Sequence, residues 1–582
     1  MVLFCFRLSI DEIARILEED NDDELKSEDV NEIIIFPPDD GNETDEDSDD
    51  DNTGDLNRMT ADQLRSTAEV VLKNHVDEEI VRNSPVRKKA KKVTRKWKEE
   101  KTFQSSVISV DINRYELPED IDCVTCWESV FTDDLFDFLV DMSNLYASQK
   151  NHVLNLTREE LKVYVGILLL TGYMTPKNMR MFWETKTDVH NELVSTAMRR
   201  NRFFEIHKYL HLCDSNNLPD NDKFAKVSEY YQKLNESFYQ NLKKIFSNKV
   251  SIDETMVPYF GRHSCKQHIH GKPLRFGYKL WSACTPEGYL VQFVPYQGAS
   301  GPKLQHQQEL GLGAAVVLDL VNKLPADTKY DVYVDNFFTG LPLLEKLTEM
   351  GHGGTGTIRE NRTEKCPLPG AKAMKKTTRG NMQMRTSSNL VIVQWHDNSI
   401  VTMASNRFGL EPVTQVNRIG FCQGKRTKLT VPCPNIVKQY NHKMGGVDRF
   451  DQNVHSERIA FRGKKWWYPL FAFGVDAACQ NAWKLKNTAD KETKYSYCDF
   501  RRNIVQNYLA KYKSQARKSY LCGSTVESRI TDEVRRDQDV QNHIEEPCNQ
   551  RRCALCHQRT RIQCKKCKIG LHKKCWYKFH TR

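Results

Sequence analysis

Apolar residues at three- and four-residue spacing dominate positions 103–248, a period that predicts helices. Thr132 can cap a helix carrying Leu135, Phe136, Leu139 and Val140, and Thr157-Arg158-Glu159-Glu160 is a capping box that opens a second, strongly apolar one. Met198–Leu212 predicts a third. There Arg199, Arg200, Arg202, His207 and Lys208 surround Phe203, Phe204 and Ile206, which suits a DNA-contacting helix and an ordinary surface helix equally. At Lys249 the pattern turns extended: a strand through Val250, Ile252 and Thr255–Val257, then a hairpin of Tyr278–Cys284 and Tyr289–Tyr296 around Thr285-Pro286-Glu287-Gly288. A helix at Ala314–Leu324, a strand at Tyr330–Val334, a helix at Leu341–Met350 and an extended piece near Thr355–Ile358 follow, a mixed α/β order. Residues 361–432 read as a β-rich insertion with Leu390–Val393 and Ile400–Met403 extended, and helices resume at Gly446 and run through Trp483 and Arg501–Tyr512.

The first hundred residues read differently. Ser9-Ile10-Asp11-Glu12 is a capping box before Ile10, Ile13 and Leu17, so a short amphipathic helix is expected there. Beyond it the apolar density is too low to bury a core, and residues 1–102 are expected to be disordered apart from that helix. Glu18 to Asp51 holds eighteen acids and Lys26 alone, so a local charge of −17 stands against a total of +9 and leaves +26 on the rest. A basic body of that kind points to nucleic acid, since neither a lipidation motif nor a basic amphipathic anchor accompanies it. No apolar run reaches the 18–20 or so residues that span a bilayer, so no membrane partner is expected. Arg87-Lys88-Lys89-Ala90-Lys91-Lys92, followed by Arg95, Lys96, Lys98 and Lys101, fits a nuclear-import signal, a DNA-gripping arm or a solvated linker.

Candidate chemistry sits in the α/β region. Asp253 is expected at the end of its strand and Asp335 at the end of the Tyr330–Val334 strand, so both converge on one sheet edge. Asp448 and Asp451 are three apart and share a helix face if Gly446 opens that helix. Carboxylates gathered so closely repel unless a cation joins them, and hard oxygen ligands suit Mg²⁺ or Mn²⁺. Two such ions would activate a water or 3′-hydroxyl and stabilise the leaving oxygen of a phosphodiester. Taken singly, each aspartate also has an ordinary reading as a strand end, a turn residue or a helix cap.

The combination resembles the piggyBac transposase family. The resemblance rests on Ser251-Ile252-Asp253-Glu254-Thr255-Met256-Val257-Pro258-Tyr259-Phe260-Gly261-Arg262, on Lys272-Pro273 through Gly277-Tyr278-Lys279, and on Val334-Asp335-Asn336-Phe337-Phe338-Thr339. It continues in Tyr440-Asn441, Met444-Gly445-Gly446-Val447-Asp448-Arg449-Phe450-Asp451, Arg462-Gly463-Lys464-Lys465-Trp466-Trp467 and the terminal cysteines, over roughly residues 105–582. It implies an RNase H-like core (249–360 and 433–455) split by the insertion (361–432), with a helical dimerisation and DNA-binding domain built from 103–248 and 456–525. By the same resemblance Asp253, Asp335 and Asp448 match the catalytic triad and Asp451 the additional acid. The implied activity is cut-and-paste transposition by a nuclear homodimer that acts on terminal repeats and joins ends at TTAA. Lys272, Arg275 and Lys279 beside the first catalytic strand, with Arg462, Lys465 and Trp466, are the DNA-contact candidates. For Lys272, Arg275 and Lys279 a solvated strand face, and for Trp466 core packing with Trp467 and Phe471, remain open.

After a linker (526–547) comes a cysteine-rich module at 548–582. Cys553-x₂-Cys556, Cys564-x₂-Cys567, His572-x₂-Cys575 and His580 offer seven ligands for structural zinc, one short of two tetrahedral sites, with Cys548 or His557 to complete the second. Cys553/Cys556 with His572/Cys575, and Cys564/Cys567 with His580 plus one more, resembles the cross-brace of the family's C-terminal domain. Its many Lys and Arg residues suit DNA, while the same ligand logic serves protein-binding cross-braces. Cys123-x₂-Cys126 lacks a second knuckle and reads as structural thiols. Two functions stay in view: an active transposase, and a domesticated DNA- or chromatin-binding protein that has lost excision.

Overall fold

The computed structural model describes residues 95–107, 121–512 and 543–581, apart from positions 101, 220, 246, 262, 269–275, 299–300, 327, 423–424, 491, 493 and 557, together with three short strands nearer the N-terminus. The chain divides into a unit spanning residues 1–516 and one spanning 517–582.

The first unit is built on a twelve-stranded mixed sheet. At one end lie β1 (Leu8–Ser9), β2 (Val30–Ile35) and β3 (Thr67–Leu72). The tail expected to be disordered therefore supplies three strands to the sheet, while the helix expected after Ser9 lies outside the described residues. The reason is local, because Val30, Ile33, Ile34 and Ile35 form a β-branched run strong enough to pair antiparallel with β3, Ile35 opposite Ala68. The basic run 87–92 lies outside the described residues. Downstream of it Arg95 is held by Glu345 and Glu364, so it is not a loose arm.

The centre of the sheet comprises β4 (Lys249–Pro258), β5 (Lys266–His268), β6 (Phe276–Cys284), β7 (Leu290–Pro295), β8 (Asp331–Val334) and β9 (Gly353–Thr357). β7, β6, β4, β8 and β9 are neighbours in that order; β6 is antiparallel to both β7 and β4, and β8 runs parallel to both β4 and β9. All nine residues of β6 are buried, as befits a strand covered on both faces. The insertion does not stand apart from this sheet. β10 (Met382–Ser387), β11 (Leu390–His396) and β12 (Ile400–Ser405) extend it through Met403 opposite Thr357, and only β13 (Thr414–Cys422) with β14 (Lys425–Cys433) makes a separate ribbon.

Helices α1 (Cys123–Val130), α2 (Asp133–Gln149), α3 (Arg158–Leu170), α4 (Glu192–Ala197), α5 (Arg200–Tyr209) and α6 (Ala225–Leu242) precede the sheet's centre. Thr132 and Thr157 cap α2 and α3, accepting from the Leu135 and Glu160 backbone N–H groups. Within the sheet region lie α7 (Leu312–Asn322) and α8 (Leu341–Glu349); after it come α9 (Asn435–Lys443), α10 (Gly446–Ser456), α11 (Tyr468–Ala489) and α12 (Tyr497–Lys511). The early and late helices pack on one another: Trp127 donates to the Tyr508 hydroxyl at 2.9 Å, and Tyr230 to the Phe471 carbonyl at 3.2 Å. A fully buried ion pair, Arg501 with Asp476 at 2.9 Å, ties α11 to α12 while Arg501 also donates to the Leu169 carbonyl. Cys123 and Cys126 are buried on α1, where burial pushes the Cys126 thiol up to about 12. Among the described residues no helix is long and apolar enough to cross a membrane.

The second unit has β15 (Glu545–Arg552), β16 (Arg559–Cys564) and α13 (Lys573–Thr581). Among its described residues the buried apolar ones are four cysteines and Leu571.

Candidate active site and Cys/His clusters

Asp253 is not at a strand end, because the β-branched Thr255 and Val257 carry β4 on to Pro258 against β6. It does sit where β8 stops. Ile252 pairs with Val334 in parallel register, and Asp253 and Asp335 are the next residues, so the two aspartates stand side by side. Asp335 opens a turn in which its Oδ1 accepts from the Phe337 N–H at 2.8 Å and its carbonyl accepts from the Thr339 hydroxyl at 2.7 Å. Burial pushes its carboxyl up, with Glu254 adding to this, while the N–H groups of Phe337 and Phe338 and the Arg359 charge act the other way.

Asp448 lies in the first turn of α10 and Asp451 three residues on. That helix approaches β4 closely: a Cβ on Gly446 would lie 2.4 Å from both the Ser251 hydroxyl and the Thr285 carbonyl. Burial pushes the Tyr440 phenol on α9 up to about 12, with Asp335, Asp253 and Asp448 adding to this, and burial raises the Cys284 thiol with Asp451 and Asp253 adding. The four aspartates therefore share one neighbourhood. Their carboxylates are more open than a closed metal cage, since they do not form a group with every ligand atom within 4.8 Å of the others. Oxygen donors alone, from adjacent strands and one helix, are nonetheless a donor set that fits a hard divalent cation with open positions.

Two arginines that motif reading missed support this turn. Arg362 donates to the carbonyls of Asn336, Phe337 and Thr339 at 2.9, 2.9 and 3.1 Å, and Arg359 to the Asn336 side chain at 3.2 Å. Their three-residue spacing was visible, but nothing in it named the carbonyls they would meet.

The expected DNA contacts divide. Lys272 and Arg275 lie outside the described residues, whereas Arg462 is exposed. Lys279 is buried, its ammonium 4.3 Å from the Trp281 ring centroid and 5.6 Å from that of Phe337, so it is neither a solvated strand face nor presented to a phosphate. Lys465 donates to the Lys208 and Leu210 carbonyls at 2.7 and 3.1 Å, satisfying the end of α5. Trp466 is half-buried and stacks on His263 at 4.2 Å, beside Phe224 and Tyr278 and not on Trp467 or Phe471. On α5, Arg202 is consumed by Glu160 at 2.6 Å and His207 bonds Tyr164 at 2.9 Å, which favours the structural reading of that helix.

In the second unit two groups of four gather with all ligand atoms within 4.8 Å: Cys553, Cys556, His572 and Cys575, and His543, Cys564, Cys567 and His580. The eighth member of these groups is thus His543, from the stretch read as linker. Cys548 belongs to neither group, and His557 lies outside the described residues. Antiparallel pairing explains the choice, since Glu545 stands opposite Cys564 and brings His543 to its thiol, 3.4 Å away, while Cys548 is carried along β15. The pairs interleave along the chain. His572 turns Nε2 to the Arg559 carbonyl at 2.9 Å and His580 turns Nδ1 to the Trp576 carbonyl at 3.0 Å, which leaves Nδ1 and Nε2 respectively for a metal. Burial opposes ionisation of Cys553, but the Cys556, His572 and Leu555 N–H groups bring its thiol down to about 6.

Comparison with known proteins defines the class. The family model described as Transposase IS4 matches residues 122–483. The fold is shared with the solved piggyBac transposase synaptic complex with hairpin DNA, at a TM-score of 0.56 and 19% identity, over 78% of this chain and 98% of that one. Human PiggyBac transposable element-derived protein 3 is 37% identical across 99% of both chains, and human PiggyBac transposable element-derived protein 2 is 37% identical across 80% of this chain and 77% of its own. The chain belongs to the piggyBac transposase family.

Proposed function

We propose that the protein is a DNA transposase whose centre is Asp253, Asp335 and Asp448, with Asp451 beside them, on an RNase H-like core formed by β7-β6-β4-β8-β9 with α7 and α8. The observation that carries this is the side-by-side placement of Asp253 and Asp335 beyond the Ile252–Val334 pair, with the first turn of α10 pressed onto the same strand. The aspartates would hold Mg²⁺ or Mn²⁺, which supplies activation of a water or DNA 3′-hydroxyl and charge neutralisation at the leaving oxygen. Asp335 is presented by its turn, and Arg362 fixes that turn through three carbonyls, so the carboxylate is oriented before DNA arrives. Two zinc ions in the interleaved Cys/His groups would hold the second unit folded, and its exposed Arg561, Lys565 and Lys574 suit DNA. DNA ends with TTAA targets, a homodimer and a nuclear location complete the reading.

The test is incubation of the full chain and Mg²⁺ with duplexes taken from the genomic sequence flanking the gene. The wild type should nick the element ends, leaving 3′-hydroxyls, and Asp335→Asn should leave them intact. Equal cutting by both overturns the site. A second reading has support in the relatives' own description as transposable element-derived: a DNA-binding protein without excision. It predicts tight binding of these duplexes by the wild type with no Mg²⁺-dependent nick.

A further inference from the structure

A transverse row of polar side chains crosses four strands of the sheet. Asp253 on β4 stands opposite Ser282 on β6 in antiparallel register. Val334 of β8 pairs with Ile252 of β4 on one side and Gly356 of β9 on the other, so Asp253, Asp335 and Thr357 are the next residues along. The row therefore runs Ser282, Asp253, Asp335, Thr357. Residues directly opposite in a ladder send their side chains to the same face, with Cβ atoms about 4.5–5.5 Å apart. The Ser282 hydroxyl is thus within reach of the Asp253 carboxylate. This face is covered by α10: Ser251, two residues before Asp253, has its hydroxyl 2.4 Å from where a Cβ on Gly446 would lie. Ser282 is 0% exposed.

Among the described residues the Ser282 hydroxyl has no hydrogen-bond partner. Buried hydroxyls are almost always paired, because an unpaired one bears the full cost of leaving water. Ser251 shows the ordinary solution: equally buried on the same face, it donates to the Cys284 carbonyl at 3.3 Å. The two aspartates are themselves steered by backbone donors, Asp253 Oδ1 accepting from the Glu254 N–H and Asp335 Oδ1 from the Phe337 N–H, each at 2.8 Å. Carboxylates that ligate a cation are commonly hydrogen-bonded in turn by neighbours that set its affinity. We infer that Ser282 is a positioning residue for the aspartate centre, its O–H donating to the Asp253 carboxylate when that group holds a divalent cation. Thr255 carries another buried hydroxyl without a partner, but it stands opposite Leu280 and two residues beyond Asp253, which makes it the comparison. The inference rests on the aspartates holding a divalent cation, as proposed above, and not on DNA cleavage.

The experiment titrates the full chain with Mn²⁺ and reads bound ion by electron paramagnetic resonance, with thermal melting of each protein before Mn²⁺ is added. Asp335→Asn identifies the binding that belongs to the aspartates. Ser282→Ala should weaken that binding by about 10- to 100-fold, and should melt no lower than the wild type because the hydroxyl it removes is unpaired. Thr255→Val, which removes a similarly buried hydroxyl with little change of shape, should bind Mn²⁺ as the wild type does. Wild-type affinity in Ser282→Ala, an equal loss in Thr255→Val, or a weaker Ser282→Ala that also melts lower would overturn the role of Ser282 while leaving the aspartate centre in place. A wild type that binds Mn²⁺ no better than Asp335→Asn overturns both.

Discussion

Replacing His543 by alanine should remove one of two zinc ions per chain and unfold the C-terminal unit. His543 stands with Cys564, Cys567 and His580 in one of the two groups able to hold a metal. Among the described residues the unit has little else to fall back on, because Leu571 is their one fully buried apolar residue that is not a cysteine. Burying such a leucine contributes about 1.5–3 kcal/mol. Ordering each backbone residue costs about 1–2 kcal/mol, so the deficit has to be met by metal, which in small zinc modules contributes on the order of 10–16 kcal/mol. Metal content of the purified full chain by plasma mass spectrometry should fall from two to one for His543→Ala and stay at two for Cys548→Ala. Limited proteolysis should then cut the variant within residues 543–581. Retention of two ions by His543→Ala, or loss of one by Cys548→Ala, would refute the ligand assignment.

Gly446→Ala places a methyl 2.4 Å from Ser251 Oγ and the Thr285 carbonyl, so α10 must shift from β4; metal-dependent nicking should fall at least tenfold while duplex affinity is held. Arg501→Met leaves Asp476 buried without its partner and should cost about 3–5 kcal/mol in urea unfolding. Burial first, then the nearby lysines, lower His211 to about 3, from an ordinary value of 6.5. The unfolded chain therefore binds more protons between those values, and stability, fully present above pH 6.5, should decline as pH falls by up to about 1.4 kcal/mol per unit. His263 and His352, lowered to about 4 chiefly by burial, add to the same loss, and His211→Gln should flatten the profile.

Much of this architecture is written in short-range pattern. Period-two alternation and β-branched runs located β4, β8 and β11 because those strands are buried regardless of their partners, and Thr132 and Thr157 announced their helices because capping is local. What sequence could not supply is pairing over long separations. The joining of β12 to β9 made the insertion part of the main sheet, and the opposition of Glu545 and Cys564 recruited His543 instead of Cys548. Cation chemistry was the least legible. Lys279, Lys465 and Arg202 carry the charge a phosphate wants, yet an aromatic cage, helix-end carbonyls and a buried carboxylate satisfy them in the folded chain.

The central claim is that Asp253, Asp335 and Asp448 act as one centre, and the most direct measurement is the additivity of their losses. Nicking rates with Mg²⁺ should fall as far in each single Asp→Asn variant as in the triple variant, with duplex affinity in EDTA unchanged. Partial losses that multiply from single to triple, or full activity in any one of the three, would contradict it.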